Sequence, residues 1–383
     1  MAKRIPLDNV CVKKIPTLSS QYDGLIDYVD ISSIDNTEKR IVSMQCVSAK
    51  EAPSRAKQLL EAGDILVSTV RPNLNAVAMV EQKTDNLLVG STGYCVLRCN
   101  DSIDKRYVFH FCQSPYFVDD MTSQATGASY PAVSSGIVKS ATIPDHPIET
   151  QKQIADRLDK VSELIALRKE QLAKLDQLVK SRFIELFEIN SWEKIRAGTI
   201  MLNLRNGVSP SNTGAYPAKV LTLSAITQGD FDPSSWKDGM FDTDPPIEKR
   251  VAASDFYMCR GNGNKNLVGA GVYSKEDRCD LVFPDTAIAA TIDLQRVCLP
   301  YLFHAWKRPS VREQIETGAR TTNGTYKINQ SVVSNIELIL PPLELQKQFA
   351  AFVEQTDKSK LAIQKSLDKL ELLKKSLMQE YFG

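Results

Sequence analysis

A repeated nine-residue segment is the feature that most constrains the fold of this 383-residue chain. The segment PIETQKQIA at 147–155 recurs as PLELQKQFA at 342–350, an offset of 195 residues, with six of nine positions identical. The repeated unit is therefore about half of the chain, and small insertions fall in its loops. Shorter matches lie upstream at offsets of 194 and 191 residues: YVFH at 107–110 with YLFH at 301–304, and NLNAV at 73–77 with NKNLV at 264–268.

Each copy of the segment begins a long amphipathic helix. Glu149 and Glu344 follow the first proline of each copy and lie in the first turn, where the helix dipole favours a carboxylate. Apolar residues then recur at spacings of four and three, which is typical of a heptad seam. Each helix should contain about 36 residues and measure about 54 Å, too long to bury its stripe on one small domain, so the two copies are predicted to pair. The seam positions are 154, 158, 161, 165, 168, 172, 175, 179, 182 and 186, and the same numbers plus 195.

The stretches outside these helices are predicted to be mixed modules of strands and short helices, which makes the fold class α+β. The segments KRYVFHFCQSP (105–115) and VCLPYLFHAWKRP (297–309) are predicted to be short helices that end at proline. The predicted domain boundaries give a first module at 1–145, a central helix at 146–190, a second module at 191–338 and a C-terminal helix at 339–383. Strands are predicted in GDILVSTV (63–70), GYCVLRC (93–99), AYPAKVLTLSAI (215–226) and TAIAATI (286–292).

Composition indicates a globular protein, since 43% of residues are apolar and 24% are charged. No segment approaches the roughly 20 apolar residues that a membrane span needs, and the N-terminal sequence lacks the apolar region of a secretory signal. We therefore expect a cytoplasmic protein without a membrane partner. The net charge is +1, and each of the four predicted segments is balanced to within one charge. A protein that binds nucleic acid alone usually shows a basic excess, so this balance is an objection to a free-standing nucleic-acid-binding protein.

The eight cysteines do not form a metal or redox motif. Cys95 and Cys99 are separated by one residue too many for a C-x-x-C site, and a period of two places both on one face of a strand. We expect reduced thiols and no metal site.

Several fragments imitate catalytic motifs without their essential residues. TDPPI (243–247) has Ile247 where the base-stacking aromatic residue of an amino-methyltransferase should stand. GNGNKN (261–266) has Asn266 in place of the third glycine of a dinucleotide loop, and no long helix pattern follows. His110 and His304 are equivalent through the repeat and flanked by aromatic residues, which favours packing. No catalytic residue and no cofactor bound by this chain is predicted.

Polar loops occupy corresponding places in both halves. STVRPNLN (68–75) and CRGNGNKN (259–266) each follow a strand, while SQATGASY (123–130) and GARTTNGTYK (318–327) precede helical segments. Arginine pairs with guanine, Asn and Gln with adenine, and hydroxyls reach phosphates, so these loops are candidates for DNA recognition, with solvated turns as the alternative. The candidate DNA-binding residues are Ser68, Arg71, Asn73, Asn75, Gln124, Thr126, Tyr130, Arg260, Asn262, Asn264, Lys265, Asn266, Arg320, Thr322, Asn323, Tyr326 and Lys327.

At the two repeated segments and the helices after them, the chain resembles the specificity subunits of type I restriction–modification enzymes. The Pro-x-x-x-Gln-Lys-Gln pattern carries the resemblance, together with GDILVSTV and the approach NGTYKINQSVVSNIELILPP at 323–342. The resemblance covers essentially the whole chain. The first copy departs from the second because Asp145 and His146 precede its helix where the second copy has Leu340 and Pro341.

The resemblance implies two pseudo-symmetric target-recognition domains of mixed α/β structure, separated by two long helices that form an intramolecular antiparallel coiled coil. Each domain would recognise one half of a bipartite site in double-stranded DNA. Two methylation subunits, which bind S-adenosylmethionine, would dock on the helices, and restriction subunits would use ATP and Mg²⁺. These partners would supply cationic surface that the chain lacks.

Two other classes of function remain open at this stage. One is a DNA methyltransferase in its own right, which S-adenosylmethionine binding would reveal, although Ile247 and the missing glycine loop argue against it. The other is a coiled-coil scaffold that binds only proteins, which a DNA-shift experiment with partner subunits would test.

Overall fold

The structure is a computed structural model that describes residues 3–81, 84–211, 213–322 and 324–383. It separates into two compact units. The first consists of Met1–Leu172 with Ala362–Gly383, and the second of Ala173–Leu361. Each unit therefore contains one module and a part of both long helices, as a duplication of the half-chain requires.

Strands and short helices form the first unit. Strands β2 and β9 are parallel within a sheet of order β5-β2-β9-β6, a second sheet has the order β10-β7-β8, and β1–β11 and β3–β4 form two-stranded pairs. The helices are α1 (Lys105–Phe111), α2 (Pro115–Ser123), α3 (Ser135–Ser140) and the first part of α4 (Ile148–Phe183). The strands are β1 (Arg4–Pro6), β2 (Leu25–Val29), β3 (Ile34–Asp35), β4 (Arg40–Ile41), β5 (Gln45–Ser48), β6 (Ala56–Leu59), β7 (Ile65–Ser68), β8 (Val77–Met79), β9 (Leu87–Ser91), β10 (Tyr94–Leu97) and β11 (Thr142–Pro144).

The second unit has a related set of sheets. Strands β14 and β20 are parallel within a sheet of order β15-β14-β20-β16, a second sheet has the order β13-β21-β17-β19, a third β18-β23-β22, and β12 pairs with β24. The helices are α5 (Ser224–Thr227), α6 (Leu299–Trp306), α7 (Pro309–Gly318), α8 (Gln330–Asn335) and α9 (Leu343–Phe382), and a π-helical turn, Ile184–Glu188, continues α4. The strands are β12 (Lys194–Arg196), β13 (Met201–Asn206), β14 (Tyr216–Leu221), β15 (Trp236–Phe241), β16 (Arg250–Val251), β17 (Asp255–Cys259), β18 (Gly261–Asn262), β19 (Gly271–Tyr273), β20 (Arg278–Val282), β21 (Ala287–Ile292), β22 (Arg320–Thr322), β23 (Thr325–Lys327) and β24 (Glu337–Ile339).

The strand predictions are confirmed at β7, β10 and β21, whereas the segment 215–226 is divided between β14 and α5. The two predicted short helices are confirmed as α1 and α6. Both end before the proline of their segment, but Pro115 and Pro309 also begin new helices, α2 and α7, which were not predicted. The first helical position suits proline because its fixed φ is helical and its missing N–H has no partner there in any case.

The long helices have the predicted length and seam. Helix α4 contains 36 residues and α9 contains 40, and every predicted seam position in both is buried or half-buried. In the first unit, Arg157 donates to the Tyr381 hydroxyl at 3.1 Å, and the Lys169 ammonium lies 3.4 Å from the Glu371 carboxylate. Residue numbers rise along α4 as they fall along α9, so these segments run in opposite directions.

The parts of the same helices in the second unit also run in opposite directions. The Lys360 ammonium lies 2.6 Å from the Asp176 carboxylate, and the rings of Phe183 and Phe349 are 5.4 Å apart. The buried seam residues Val179, Phe349 and Val353 belong to the core of this unit together with Phe183, which lies one position beyond the predicted seam residue 182.

Phenylalanines at equivalent positions of the repeat are buried in the core of each unit. Phe382 is fully buried in the first unit with its ring 5.2 Å from that of Tyr107, and Phe187 is fully buried in the second with its ring 4.8 Å from that of Tyr301. Both pairs match at the repeat offsets of 195 and 194 residues. Since burial of a large aromatic side chain contributes strongly to stability, the long helices belong to the cores of the units.

The eight cysteine side chains are free thiols. Cys95 lies in β10, but Cys99 follows the end of that strand and forms an isolated antiparallel bridge with Cys11. The backbone partner of Cys99 therefore comes from the N-terminal segment. Within the described ranges, no helix combines the length and the apolar character of a membrane span, and no three His, Cys, Asp or Glu side chains are grouped as metal ligands.

Candidate nucleic-acid interface

The first polar loop of the first unit follows the buried strand β7. Ser68 is only 4% exposed, and its hydroxyl donates to the Val70 carbonyl at 3.0 Å, so the structure places this predicted site residue inside the unit. The backbone N–H of Thr69 donates to the Gly93 carbonyl at 2.9 Å. The loop therefore leaves the sheet from a fixed position, and its exposed part begins at Arg71.

The backbone from Arg71 to Asn75 has an unusual conformation. Arg71 has φ 50° and Asn75 has φ 47°, and a 3-10 turn, Pro72–Leu74, lies between them. The left-handed region costs an L-residue free energy unless the surroundings stabilise it. Arg71 and Asn73 are exposed and Asn75 is half-buried, with its side-chain amide donating to the Gln113 carbonyl at 3.3 Å.

The second polar loop of the first unit lies against the first. The Arg71 N–H donates to the Pro131 carbonyl at 2.7 Å, and the Arg71 guanidinium lies 4.7 Å from the centre of the Tyr130 ring. Thr126 exchanges two backbone hydrogen bonds with Ala132, at 3.0 and 2.9 Å. The structure thus brings Arg71, Thr126 and Tyr130 together, and Tyr130 remains 68% exposed.

Gln124 has a different local role. It caps the end of α2, and its side-chain amide donates to the Asp120 carboxylate at 2.8 Å. The side chain is exposed, so the predicted site residue lies at the surface and is tied to its own helix.

The two polar loops of the second unit share a sheet. Gly261 and Asn262 of β18 pair with Lys327 and Tyr326 of β23, which also pairs with β22. The Arg260 N–H donates to the Thr286 carbonyl at 2.8 Å, which corresponds to the bond of Thr69 in the first unit. Arg320 and Lys327 are exposed, and Arg260, Asn262 and Tyr326 are half-buried.

Asparagine side chains shape the loop after β18. The Asn262 side chain accepts a hydrogen bond from the Asn264 N–H at 2.8 Å, and the Asn264 side chain accepts one from the Asn266 N–H at 3.0 Å. The Lys265 ammonium lies 3.1 Å from the Glu316 carboxylate. This loop therefore turns by side-chain acceptors, a common use of Asn.

Two of the predicted site residues cannot be placed in full. Asn323 lies outside the residues that the structure describes, as does the side chain of Thr322, whose backbone pairs with Thr325.

Two basic residues that sequence reasoning missed bind these loops through backbone carbonyls. The Lys39 ammonium, from the β3–β4 hairpin, donates to the Asn75 carbonyl. The Arg312 guanidinium, from α7, donates to the carbonyls of Lys265 and Val268 at 2.8 and 2.6 Å. Neither position has a local pattern that distinguishes it, because each partner is 36 or more residues away in the sequence.

The two repeat-equivalent histidines are packed as predicted, with different neighbours. The His110 Nε2 lies 2.7 Å from the Asp159 carboxylate; burial lowers the pKa of His110, and Asp159 opposes this effect. The His304 ring lies 5.2 Å from that of Phe349, and burial lowers the pKa of His304 to about 4. A neutral, enclosed imidazole suits a core position.

Sequence comparisons show what the chain is similar to. Residues 9–177 match the family model described as the type I restriction modification DNA specificity domain. The chain is 24% identical over 314 residues to the EcoKI specificity subunit of Escherichia coli K12, a match that covers 75% of this chain and 67% of that subunit. It is 20% identical over 396 residues to the StySPI specificity subunit of Salmonella potsdam, covering 97% of this chain and 85% of that subunit. The family model and these relatives support a specificity subunit of the type I class.

Two solved structures share the fold of this chain. A chain from a study of complex assembly and conformational transition in the type I restriction–modification system has a TM-score of 0.63 at 22% identity, covering 99% of this chain and 97% of that chain. The S subunit from M. genitalium has a TM-score of 0.60 at 14% identity, covering 100% of this chain and 96% of that chain. Both support a mixed fold of helix and sheet with long helices.

The comparisons also bear on the enzyme question. The curated relatives are named specificity subunits, which supports a non-catalytic subunit over a methyltransferase. The incomplete motifs at 243–247 and 261–266 agree with this, and the second forms part of a candidate recognition loop.

Proposed function

We propose that this DNA sequence-recognition subunit recognises a bipartite site, with the module at 1–145 binding one half and the module at 191–338 binding the other. The observation that supports this is the pairing of polar loops. In each unit, backbone hydrogen bonds hold together two loops that are far apart in sequence, and exposed Arg, Asn and Tyr side chains extend from them. Loops of equivalent position and different sequence suit two different half-sites.

The long helices are proposed to form one intramolecular antiparallel coiled coil in a pseudo-symmetric chain. Opposite helix directions within each unit and the continuous buried seam support this arrangement. A coiled coil of fixed length would set the number of base pairs between the half-sites. Leu367→Glu should disrupt it because Leu367 is 5% exposed, while Leu372→Glu is a matched control at a position that is 69% exposed.

Partner subunits complete the proposed function. Two methylation subunits with bound S-adenosylmethionine would dock on the helices, and restriction subunits with ATP and Mg²⁺ would join them in the cytoplasm. The near-neutral charge of the chain supports this, since the phosphate contacts that dominate DNA affinity need more basic surface than the chain provides. The cofactors would remain on the partners.

Mapping methylated bases in the DNA of cells that express this chain with its methylation subunits tests the proposal. The expected result is a motif of two short sequences separated by a spacer of fixed length. Arg71→Ala should change the motif on one side only, and Arg260→Ala on the other, each at about 1–3 kcal/mol per lost base contact. A continuous motif, or the loss of both halves with either variant, would contradict the proposal, and methylation without any motif would favour a scaffold.

A further inference from the structure

Three residues with a left-handed backbone conformation lie in or beside the loop 71–75 of the first unit, which we call the first recognition loop. Among the described residues, the non-glycine residues with positive φ are Lys39 at 57°, Arg71 at 50° and Asn75 at 47°. Such conformations persist only where the surroundings hold them, and they are concentrated at functional sites. Two of the three belong to the loop itself, and the third contacts it from another segment.

The Lys39 side chain connects these positions. Lys39 follows a tight turn in which the Asp35 carboxylate accepts the N–H groups of Thr37 and Glu38 at 2.7 and 2.8 Å. Its ammonium donates to the carbonyl of Asn75, while the Asn75 amide donates to the Gln113 carbonyl at 3.3 Å. Asn75 is therefore held from two sides in the left-handed region, which fixes where the loop from Arg71 ends.

The loop 262–268 of the second unit, which we call the second recognition loop, is held by a residue that has no counterpart in the first unit. The Arg312 guanidinium donates to three loop carbonyls, those of Lys265, Asn266 and Val268, at 2.8, 3.3 and 2.6 Å. The Glu316 carboxylate lies 2.7 Å from Arg312 and 3.1 Å from the Lys265 ammonium. The position equivalent to Arg312 in the first unit, at the offset of 194 residues, is Val118.

We propose that Lys39 and Arg312 are positioning residues that fix the two recognition loops without touching DNA, and that recognition of the first half-site alone is linked to the protonation of Lys39. This rests on the proposed function of the loops. Lys39 and Arg312 act through loop carbonyls, so their loss should change base discrimination more than overall affinity. A guanidinium stays charged in proteins, whereas an amine does not.

The surroundings of Lys39 explain why only the first half-site should respond to pH. Burial of its side chain and the Lys374 ammonium of α9 lower the pKa of Lys39 to about 8, against an opposing effect of Asp35. Burial and Lys169 lower the pKa of Lys374, while Asp159 raises it. Above about pH 8, Lys39 becomes a neutral amine and a weaker hydrogen-bond donor to Asn75, because charge-assisted bonds are the stronger ones.

Fold stability and discrimination should then move in opposite directions with pH. The unfolded chain binds a proton at Lys39 up to its ordinary pKa of 10.5, and the folded chain releases it near 8. Since the unfolded state holds more protons between these values, stability rises with pH there. Discrimination at the first half-site should fall over the same range. A lysine with only a structural role would give the same change in stability and leave discrimination unchanged.

The experiment uses the complex with methylation subunits and duplexes that carry single mismatches in either half-site, at about pH 7 and about pH 9. The ratio of matched to mismatched affinity in the first half-site should fall by at least about fivefold at the higher pH, the low end of what one base pair contributes. The ratio in the second half-site should not change. Lys39→Met should give the low ratio at both pH values, and Lys39→Arg the high ratio at both.

Arg312→Met is the reciprocal variant and should lower discrimination in the second half-site only, at both pH values. Lys13→Met is the matched control, because Lys13 is 73% exposed and paired with Asp8. Equal pH effects on both half-sites, or full discrimination by Lys39→Met, would overturn the proposal. If Lys39→Met does not fold, the pH profiles of the parent and Lys39→Arg still decide it. A parent complex without any sequence preference would instead contradict the proposed function itself.

Discussion

Tyr107 in the first unit and Tyr301 in the second both donate a hydrogen bond to a backbone carbonyl just before a long helix. The acceptors are Pro144 at 3.1 Å and Ile339 at 2.7 Å. Gln151 and Gln346 lie in the first turn of α4 and α9 and make equivalent bonds. Each accepts a hydrogen bond from a backbone N–H and donates one to a backbone carbonyl. The buried polar bonds at the helix starts are therefore the same in both units.

The recognition loops of the two units, in contrast, are stabilised in different ways. The first uses left-handed residues and Lys39, and the second uses Asn side chains and Arg312. A buried polar bond constrains both of its partners, since leaving one unpaired costs about 1–3 kcal/mol. An exposed loop has no such constraint. A duplicated unit can thus keep its buried bonds while its recognition loops diverge.

Equivalent buried aspartates show a third outcome. Asp64 and Asp255 match at the offset of 191 residues, and each is 1% exposed. Asp64 accepts two hydrogen bonds from Arg98, both at 2.8 Å. Asp255 instead accepts a hydrogen bond from Arg205, which lies on a different strand of the unit. It accepts another from Thr291, whose position in the second unit corresponds closely to that of Arg98 in the first. The carboxylate was kept, and its arginine comes from another part of the unit.

The largest expected effect concerns these aspartates. Asp255→Ala leaves the Arg205 guanidinium, which is 10% exposed, without its carboxylate, and should lower the free energy of unfolding by about 3–5 kcal/mol. Asp64→Ala should cost less because Arg98 is 17% exposed and keeps Glu61 at 2.8 Å. Asp244→Ala is the control: Asp244 is 67% exposed in its ion pair with Arg250, and its loss should cost under about 1 kcal/mol. Urea denaturation measures all three, and equal costs for Asp64 and Asp255 would contradict this account.

The shared glutamines should give the next effect. Gln346→Ala removes partners from the Cys298 N–H and from the carbonyls of Arg296 and Pro341, and should cost about 3 kcal/mol. Gln151→Ala removes partners from the Asp104 N–H and the His146 carbonyl, and should cost about 2 kcal/mol. Hydrogen exchange at the amides of Asp104 and Cys298 locates each loss.

Gln153→Ala and Gln348→Ala are the matched controls, since these glutamines lie two residues further along the same helices and are exposed. If they destabilise the protein as much as the buried pair does, the shared bonds do not hold the helix starts.

Acid should affect the histidines unequally. Because the pKa of His304 is lowered to about 4 by burial, its contribution to stability is fully present above the ordinary value of 6.5 and is lost as pH falls toward 4. At about pH 5 the loss should be about 1–2 kcal/mol, and His304→Leu should remove it. His110→Leu should remove less, since Asp159 opposes the lowering of the pKa of His110. Unfolding midpoints from about pH 7 to about pH 5 test the order.

The smallest effect should separate the loops themselves. Asn75→Ala places an alanine at φ 47° and should cost about 1 kcal/mol more than Asn75→Gly, since both variants lose the hydrogen bond to the Gln113 carbonyl and only alanine is strained there. Asn266→Ala, at the equivalent position within the 3-10 turn Lys265–Leu267, should cost less than Asn75→Ala. Thermal unfolding measures the three variants, and equal costs for the two alanine variants would show that the backbone of the first loop is not strained.

Much of the fold could be predicted because its determinants are local. The seam of α4 and α9 follows from spacings of three and four residues, and strands β7, β10 and β21 follow from runs of β-branched and apolar residues. The helices that begin at the prolines were missed for a local reason as well. Pro115 and Pro309 have the same φ whether they follow a helix or begin one, and only the cap before Pro115, where Ser114 accepts from Phe117 at 3.2 Å, shows which applies.

The candidate site was predictable in part. The repeat identified the polar loops as equivalent, and the structure places both loops of each unit together through backbone pairing. The burial of Ser68 was not evident, because a serine at the end of a strand can face either side. The DNA-binding roles of the exposed residues remain predictions.

By itself, the sequence determined the duplication, the two long helices with their seam and the positions of the polar loops, because each depends on residues near one another or on direct repetition. Only the tertiary structure decided that Cys99 lies opposite Cys11, that Lys39 holds Asn75 and that Arg312 holds the loop at Lys265. These partners are 36 or more residues apart. No local pattern specifies them, since chain folding alone brings such residues within hydrogen-bonding distance.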